Sequence, residues 1–468
     1  MKYKRVVLVD PKQPKAPKQT GANEIIEPIG LCYIASFIQK RGYDVKIVQQ
    51  CMKSDKEIIK EIISSKPDIV GFTAVTCVYP RAKRFAKILR KKNILTVIGG
   101  QHATGDPHNS SRDFDYVIMN EGEATFLELL NRLNKYQDTS KIKGLAYFSK
   151  KENKFILNPI RERLDFTKQP LPFRKGLNLK LYKKTFVINP IPPGIKNVAS
   201  ICSSKGCPYN CSFCANKMMW NQIVKSRSIK EIVDEIEMLV KKNDVNYIWF
   251  HDETLTFDKK RLTDLCREII KRKLNIYWGC MGRVNSADLD ILKLMKKAGC
   301  HYIGYGVESA DHKILKKMNK QITLDVVKKA MKMTFDVGII SRAFFIIGLP
   351  YDTKESLEKM KKFAKKIYAL SYRFSIFYPF LGTKDREYVD KHNLWLPGKR
   401  RLEDATALKP TIKCKVSKEN LNKFIYLAMK EIYSSREYQK RKEEFLKKFP
   451  EYKEGFEKWL EYKKCIKK

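Results

Sequence analysis

The sequence lacks an apolar run long enough to cross a membrane, and it is short of acidic residues. The most apolar stretch, near Val337 to Leu349, is interrupted by Arg342, so we expect no spanning helix there. Only 51 Asp and Glu stand against 94 Lys and Arg, which gives a formal net charge of +43 among 468 residues. This charge suits an anionic partner, but lysine scattered over the whole length is equally typical of a biased genome or a heat-adapted protein. The two interpretations stay open.

Two further features are missing. The twelve cysteines show no spacing typical of a disulfide framework, which favours a reducing cytoplasm. Met1 leads directly into the strand-like run Arg5–Asp10, which predicts that no N-terminal targeting signal is present. The content of 43% hydrophobic residues is typical of a globular protein, and the length allows two to four domains.

Three closely spaced cysteines are the most informative motif. Cys207, Cys211 and Cys214 follow a Cys-x3-Cys-x2-Cys pattern with no fourth cysteine close behind. A four-iron cluster takes four ligands, so three thiolates leave one iron open to bind a substrate. A structural zinc ion needs four Cys or His ligands, and the next candidates, Cys202 and Cys266, lack paired spacing. The triplet therefore favours an iron–sulfur cluster over zinc.

Strand-like and helix-like segments alternate over residues 1–140 and again over 196–385. In the first region this pattern predicts a doubly wound, Rossmann-like parallel sheet that binds its ligand at the carboxyl ends of the strands. Predicted strands there are Arg5–Asp10, Asp44–Gln49, Asp68–Thr73, Leu95–Gly99 and Tyr116–Asn120. Predicted helices there are Gly30–Arg41, Asp55–Ser64, Tyr79–Lys92 and Ala124–Asn134. The polar stretch Pro11–Asn23 is predicted to be a loop at this edge.

The second region predicts a partial (βα)6 TIM barrel, with the cysteine loop after its first strand. Predicted strands are Val198–Cys202, Tyr247–His251, Ile276–Cys280, Tyr302–Val307, Ser341–Ile347 and Arg373–Tyr378. Predicted helices include Ile229–Lys241, Lys259–Lys271, Ala287–Ala298 and Asp325–Asp336. Residues 141–195, rich in proline, are expected to be a connector, and residues 386–468 a helical C-terminal region.

The triplet, with the aromatic Phe213 before its last cysteine, resembles the radical S-adenosylmethionine superfamily. The resemblance implies that S-adenosylmethionine chelates the open iron and is cleaved to a 5′-deoxyadenosyl radical. It also implies roles for residues that end the barrel strands. Asp252 and Glu253 match the motif that binds the amino group, although a solvated loop pair is the alternative. Glu308, in Gly-Val-Glu-Ser, matches the ribose-binding signature.

Two further positions complete the predicted S-adenosylmethionine site. Arg283 ends the third barrel strand and suits the methionine carboxylate, but a structural ion pair is an equal alternative. The segment Phe344–Pro350 resembles the adenine-packing strand, so the Ile346–Gly348 backbone, including Ile346 and Gly348, is expected to face adenine.

The first region resembles the cobalamin-binding domain that precedes the barrel in a large radical S-adenosylmethionine subgroup. The matching phrases are Pro28–Ala35, Gly99–Thr104 and Glu121–Glu123. Thr73 and Thr76 suit the buried nucleotide tail of cobalamin or, equally, a helix cap. The implied cobalamin-binding residues are Gly30, Thr73, Thr76, Gly99, Gly100, His102, Glu121 and Gly122. Asp10-Pro11-Lys12 lacks the histidine that follows the first strand in many cobalamin domains, which predicts cobalamin without a histidine below the cobalt.

The resemblance implies a cobalamin-dependent enzyme that methylates an unactivated carbon through a substrate radical and methylcobalamin. Cyclisation or carbon–carbon coupling on a lipid or isoprenoid is the first alternative. A second is a transfer-RNA methylthiotransferase with another cluster on Cys32, Cys51 and Cys77, although Cys32 lies in an apolar helix and the tail looks helical. A non-catalytic cobalamin carrier also stays open. Expected cofactors are a four-iron, four-sulfur cluster, S-adenosylmethionine and cobalamin.

The predicted partners follow from this assignment and from the charge. They are a small-molecule or lipid substrate, an electron donor such as ferredoxin or flavodoxin, and a peripheral contact with an anionic membrane. A nucleic acid is a weaker alternative. The aromatic, lysine-rich tail suits a membrane surface, but a helical lid with a solvated face is the favoured interpretation. The catalytic residues for the substrate step are unknown from sequence.

Overall fold

The protein contains two mainly parallel sheets, each covered by helices. The computed structural model describes residues 1–14, 26–185, 190, 192–398, 402 and 405–465. The predicted loop Pro11–Asn23 therefore lies largely outside the described residues. No helix in the described ranges is long and apolar enough to cross a membrane.

The first sheet is doubly wound, as the alternating pattern predicts. Its strands are β1 (Arg5–Asp10), β2 (Asp44–Gln49), β3 (Ile69–Thr73), β4 (Leu95–Gly99), β5 (Tyr116–Ile118), β6 (Leu145–Ser149) and β7 (Lys154–Leu157). Their order is β2-β1-β3-β4-β5-β6-β7, with β1 to β5 parallel and β6 and β7 antiparallel. The β6–β7 pair, in the segment expected to be a connector, thus extends this sheet.

Helices cover both faces of the first sheet. They are α1 (Ile29–Gln39), α2 (Asp55–Ser64), α3 (Tyr79–Arg90), α4 (Gln101–Gly105), α5 (Pro107–Asp113) and α6 (Glu123–Asn134). A further helix, α7 (Leu179–Thr185), follows the sheet. Side chains that alternate along β1 enter separate cores: Val6 and Leu8 pack with α1 and α6, whereas Val7 and Val9 pack with α2 and α3.

The second sheet is an open, six-stranded partial barrel. Its strands are β8 (Asn197–Ile201), β11 (Val245–Phe250), β12 (Tyr277–Gly282), β13 (Cys300–Glu308), β14 (Ile340–Ile347) and β15 (Ser371–Ile376), and a hairpin of β9 (Ser204–Lys205) and β10 (Lys225–Ser226) follows β8. All five neighbouring pairs are parallel, in the order β15-β14-β13-β12-β11-β8. The fold class read from the sequence is confirmed.

Helices connect the strands of the second sheet. They are α8 (Asn216–Trp220), α9 (Ile229–Asn243), α10 (Lys259–Lys271), α11 (Leu289–Lys297), α12 (His312–Lys317), α13 (Leu324–Asp336), α14 (Lys354–Lys366) and α15 (Lys384–Lys391). The beginning of α9 follows from sequence: Ser228 and Glu231 form a reciprocal capping box. The predicted strands and helices of both regions match observed elements, with ends that differ by a few residues.

The C-terminal helices complete the barrel core and do not form a separate lid. They are α16 (Lys418–Ser434), α17 (Arg436–Lys448) and α18 (Lys453–Cys465). Leu421, Phe424, Ala428 and Ile432 share one buried face of α16 and pack in the barrel core, and Ile425 packs there partly buried. The hydroxyl of Tyr433 accepts a hydrogen bond of 3.1 Å from the backbone N–H of Tyr372 on the edge strand β15. Beyond α15, residues 392–416 that are described are mainly irregular.

Buried ion pairs join the two sheets. Arg174 donates to Glu27 at 2.6 Å and to Glu235 on α9 at 2.8 Å, so one guanidinium connects the segment that precedes α1 with the barrel. Lys205, at the end of β9, donates to Glu123 at the start of α6 at 2.8 Å. Breaking one partner of a buried pair leaves an uncompensated charge, which costs about 3–5 kcal/mol. These pairs hold the carboxyl edge of the first sheet against the mouth of the barrel.

Candidate functional site

The cysteine triplet lies in the loop between β9 and α8, at the carboxyl end of the barrel strands. The backbone N–H of Cys214 donates to the carbonyl of Cys211 at 3.2 Å, which closes a turn around the last two cysteines. Ser212, between them, donates its N–H to Met318 O at 3.0 Å and its hydroxyl to Asp385 at 3.1 Å. The loop is therefore fixed from two sides before any metal binds.

The three thiols form a donor set for an iron–sulfur cluster. All three are partly buried, and none of them forms a disulfide. Burial raises the pKa of Cys214 to about 12, and the nearby sulfur atoms of Cys211 and Cys207 add to this shift. No group of three His, Cys, Asp or Glu side chains in the described ranges is close enough to share one metal ion. A four-iron cluster needs only one thiolate on each of three iron atoms, and the loop fits that requirement.

Arg283 places a positive charge beside the cysteine loop. Its Nη1 lies 3.7 Å from the Sγ of Cys211, its guanidinium lies 3.8 Å from the ring centre of Tyr209, and its Nη2 donates to the carbonyl of Lys320. Its Nε is buried and has no hydrogen-bond partner among the described residues. A buried unpaired donor next to the cluster loop suits a carboxylate, and the ligand role of Arg283 stays a prediction.

The two acidic residues after β11 have different surroundings. Both carboxylate oxygens of Asp252 accept hydrogen bonds: Oδ1 from Ser203 N at 2.8 Å and Oδ2 from the Ser203 and Ser204 hydroxyls. All the hydrogen bonds of the Asp252 carboxylate thus go to the turn after β8, and this does not match the ligand-binding role that was predicted for Asp252. Glu253 accepts from Gly206 N at 2.9 Å and faces the cavity described below. Burial raises the pKa of Glu253.

Glu308 at the end of β13 is paired with a residue that the sequence analysis missed. Lys320 Nζ lies 2.7 Å from Glu308 Oε1, and both side chains are buried. Glu308 has a left-handed backbone with φ of 65°. A Cβ on Gly306 would lie 2.6 Å from Lys320 Nζ, so glycine there makes room for the pair. Lys320 lies in a lysine-rich run between two helices, where its composition alone gives no signal of burial.

The predicted adenine side of the site is apolar. Phe213 and Ile346 are partly buried against the same cluster, which contains Met318, Leu349 and Phe377. Gly348 directly follows β14 with φ of 81°, and a Cβ there would lie 3.2 Å from Leu421 of α16. The C-terminal region thus reaches the strand end that the sequence assigns to adenine.

A cavity of about 290 Å³ runs from the carboxyl edge of the first sheet to the barrel mouth. Of the predicted cobalamin-binding residues, six line it: Gly30, Thr73, Gly99, Gly100, Glu121 and Gly122. From the barrel side it is lined by Cys202, Lys205, Met219, Trp220, His251 and Glu253. The two sheets thus share one space. Its volume suits a nucleotide tail better than a whole corrin ring.

Backbone and side chains of the cavity wall fit such a tail. No heavy atom lies within 4 Å of a Cβ built on Gly30, so a side chain there would project into open space. Gly100 has φ of 93°, which only glycine adopts readily, and brings the chain close to Thr73. Glu121 Oε1 is buried 3.6 Å from Lys205 Nζ but has no hydrogen-bond partner among the described residues, so it can also accept from a ligand hydroxyl or amide.

The other two predicted cobalamin-binding residues, Thr76 and His102, are buried but do not line this cavity. His102 instead stacks on Tyr79, with ring centres 4.0 Å apart. Burial lowers the pKa of His102 to about 4. Thr76 does not cap α3 either, because Val78 occupies that position and no side chain caps it.

The second cluster that the alternative interpretation requires is not assembled. Cys32 packs in the core on the α1 side of the first sheet, whereas Cys77 packs on the α3 side. Because the sheet separates these thiols, Cys32, Cys51 and Cys77 do not converge. The methylthiotransferase interpretation loses its structural basis.

Comparisons with known proteins agree with this site. The Radical SAM superfamily profile matches residues 201–364, and the B12 binding domain profile matches residues 21–130. An uncharacterized methyltransferase of Pyrococcus horikoshii is 33% identical over 449 residues, with 92% of this chain and 93% of the relative covered. The anaerobic magnesium-protoporphyrin IX monomethyl ester cyclase of Rubrivivax gelatinosus is 31% identical, over 77% of this chain and 65% of its own length.

A solved structure shows the same architecture. The radical S-adenosylmethionine methyltransferase TsrM from Kitasatospora setae, with cobalamin and a four-iron, four-sulfur cluster bound, has a TM-score of 0.70. Its identity is 18%, and the alignment covers 84% of this chain and 76% of TsrM. At that identity the likeness concerns the fold.

The partial barrel carries a cysteine loop that would leave one iron of a cluster open, and it packs against a doubly wound sheet of the cobalamin-binding kind. These two features define a radical enzyme with two organic cofactors. The chain belongs to the cobalamin-dependent radical S-adenosylmethionine methyltransferase family. Its cofactors are a four-iron, four-sulfur cluster, S-adenosylmethionine and cobalamin.

Proposed function

We propose that this enzyme methylates an unactivated carbon of a small-molecule or lipid substrate. The observation that carries the proposal is the shared cavity. Thr73 and Gly99 of the first sheet line it together with Glu253 and Trp220 of the barrel. A methyl carrier and a radical source that act on one substrate must reach the same space.

Each cofactor is matched by residues of this chain. When bound, the cluster and S-adenosylmethionine supply a carbon-centred radical, and cobalamin carries the methyl group. We assign the cluster to Cys207, Cys211 and Cys214. Arg283 offers a donor for the carboxylate of S-adenosylmethionine.

The remaining S-adenosylmethionine contacts come from strand ends. Glu253 is proposed to accept from the amino group, and Glu308, oriented by Lys320, to accept from the ribose hydroxyls. Carboxylates that are held by fixed neighbours bind such donors with little reorganisation. Phe213, Ile346 and Gly348 are proposed to enclose the adenine.

The substrate is proposed to bind at the junction of the two cavity halves. The wall there combines the apolar Met219 and Trp220 with the polar Lys205, His251 and Glu253. A mainly apolar wall with a few polar groups suits an organic molecule with both kinds of surface. His251, which the sequence analysis passed over, is exposed to this space.

Mass spectrometry of the reconstituted, anaerobic enzyme tests the proposal. With dithionite and extracts that contain candidate substrates, methylation yields 5′-deoxyadenosine and S-adenosylhomocysteine together. Deoxyadenosine alone indicates cyclisation or coupling, the activity class of the cyclase relative, and contradicts methyl transfer. Cys211→Ala is expected to abolish deoxyadenosine, whereas Cys414→Ala, at a half-buried cysteine near the C-terminal region, retains it.

A further inference from the structure

A second groove borders the cysteine loop and shares no residue with the cofactor cavity. It has a volume of about 410 Å³, and its lining includes Asn285, Leu315, Lys316, Asn319, Gln321 and Ile322. Except for Asn285, which follows β12, these residues belong to α12 and to the segment between α12 and α13. The groove is open to solvent at the outer surface of the barrel.

Hydrogen bonds connect the segment that lines the groove to the two neighbours of Cys211 in the chain. The side-chain amide of Asn319 donates to the carbonyl of Asn210 at 2.8 Å. Met318 accepts the N–H of Ser212 at 3.0 Å. These two bonds flank Cys211, so only a few covalent and hydrogen bonds separate the rim of the groove from a cluster thiol.

The rim of the groove is strongly basic. The run His312–Lys320 contains four lysines and no acidic residue. Lys320 is buried against Glu308, whereas Lys313, Lys316 and Lys317 are exposed. Lys317 lies over the ring of Tyr351, 4.8 Å from its centre.

The nearby acidic residues do not neutralise this face. Asp311 pairs with Lys359 at 2.9 Å, and Asp325 pairs with Lys328 at 3.0 Å. No ion pair involves Lys313 or Lys316 within the part of the chain that is described. We refer to Lys313, Lys316 and Lys317, with the groove beside them, as the lysine face.

We propose that the lysine face docks a small acidic one-electron carrier protein of the ferredoxin or flavodoxin kind. This inference rests on the proposed function, which requires an electron for each S-adenosylmethionine that is cleaved. The carrier is oxidised by one electron, and the cluster behind Cys211 is reduced by one. That electron then enters the carbon–sulfur bond of the sulfonium, which breaks into methionine and the 5′-deoxyadenosyl radical.

The lysine face differs from the rest of the basic surface in its position beside the cysteine loop, and not in its charge. A chain with a net charge of +43 attracts polyanions over much of its surface. Only a redox partner gains from lying beside a cluster ligand. Electron-transfer complexes are small, with less than about 1,200 Å² buried, and a short helix with one groove can supply such a contact. Charge complementarity mainly raises the association rate of such transient complexes.

Charge reversal at the lysine face tests the proposal in the reconstituted holoenzyme. The test variant is Lys313→Glu/Lys316→Glu; Lys317 is retained because of its contact with Tyr351. The matched control is Lys60→Glu/Lys87→Glu, at exposed lysines of α2 and α3 on the first sheet. Stopped-flow absorbance measures cluster reduction by photoreduced flavodoxin and, separately, by dithionite, which needs no docking site. Fluorescence titration measures flavodoxin binding at several salt concentrations.

The test variant is expected to lose about tenfold or more of the flavodoxin-driven rate at low salt, with weaker binding. Its dithionite-driven rate stays at the wild-type value, and the difference from wild type shrinks as salt screens the charges. The control variant behaves like wild type in all three measurements.

Three results would overturn the inference. One is an unchanged flavodoxin-driven rate in the test variant, and another is an equal loss in the control. The third is binding of RNA or anionic vesicles that depends on Lys313 and Lys316 while carrier-driven reduction does not. A wild-type enzyme that forms no deoxyadenosine with dithionite contradicts the proposed function itself, and this inference with it.

Discussion

Lys320 and Glu308 form a buried ion pair at the carboxyl end of β13, with 2.7 Å between Nζ and Oε1. The pair joins the strand end predicted to bind ribose with the segment that follows α12. That segment also contacts the cysteine loop through Met318 and Asn319. The position of Glu308 and that of the cluster loop are therefore set by one short stretch of chain.

Removal of the lysine is predicted to affect both stability and ligand binding. Lys320→Met leaves the Glu308 carboxylate buried and unpaired, which is expected to cost about 3 kcal/mol of unfolding free energy. Binding of S-adenosylmethionine is expected to weaken, because Glu308 is no longer oriented. Chemical denaturation and equilibrium dialysis measure the two effects. The double variant Lys320→Met/Glu308→Gln should recover much of the stability without recovering binding; equal stability of both variants would contradict the coupling.

The neighbouring acids Asp252 and Glu253 are predicted to separate into a structural and a ligand-binding residue. Asp252→Ala removes the acceptor of three buried donors on Ser203 and Ser204, which is expected to cost about 1–3 kcal/mol or more in stability. Glu253→Gln retains an acceptor for Gly206 N and is expected to weaken S-adenosylmethionine binding with little change in stability. Thermal denaturation and dialysis of both variants provide the comparison. A Glu253→Gln variant with unchanged affinity would refute its assignment.

A large side chain in the open space at Gly30 is predicted to prevent the binding of cobalamin but not that of the iron–sulfur cluster. Gly30 lies in the first turn of α1, where a larger side chain favours the helix, and it faces the cavity. Gly30→Leu should therefore fold and retain iron and sulfide, but it should lose cobalamin in anaerobic reconstitution followed by visible spectroscopy. Gly30→Ala, with a single methyl group, should lose less. Full cobalamin occupancy in the Leu variant would place the nucleotide tail elsewhere.

Asp352, which follows β14, is predicted to make the free energy of unfolding depend on pH. Its carboxylate is fully buried and accepts from Leu349 N and the Ser356 hydroxyl, each at 3.0 Å. Burial raises its pKa from 3.8 to about 6, so the unfolded chain releases this proton at lower pH than the folded chain. The contribution of Asp352 to stability is therefore full below pH 3.8 and falls as the pH rises towards 6.

Asp352→Asn removes that titration. Relative to wild type, the variant should gain stability between pH 4.5 and pH 7.5, on the order of 1–3 kcal/mol. Urea denaturation at these two pH values measures the gain, with Asp290→Asn, at an exposed carboxylate on α11, as control. A difference between Asp352→Asn and wild type that does not change with pH would contradict this interpretation.

The sequence by itself determined the two alternating regions, and it predicted the three cysteines that are proposed to hold the cluster. Periodicity and the Cys-x3-Cys-x2-Cys spacing are local properties, and they predicted the parallel strands of both sheets and the cysteine loop, but not that β6 and β7 extend the first sheet. Strand-end motifs also predicted that Asp252, Glu253, Arg283 and Glu308 would face one site, because parallel strands bring their carboxyl ends to one edge. The family resemblance pointed to six residues that line the observed cavity.

Only the tertiary structure decided which polar side chains already have hydrogen-bond or ion-pair partners within the protein. Asp252 and Glu253 are adjacent in sequence. Serines that follow β8 donate hydrogen bonds to the Asp252 carboxylate, whereas the Glu253 side chain lines the cavity. His102 lies in a phrase that matches cobalamin-binding domains, and Thr76 was selected for its hydroxyl, yet neither lines the cavity. Lys320, in a lysine-rich run, is buried beside Glu308. Burial and pairing depend on segments far apart in the chain, so local pattern cannot reveal them.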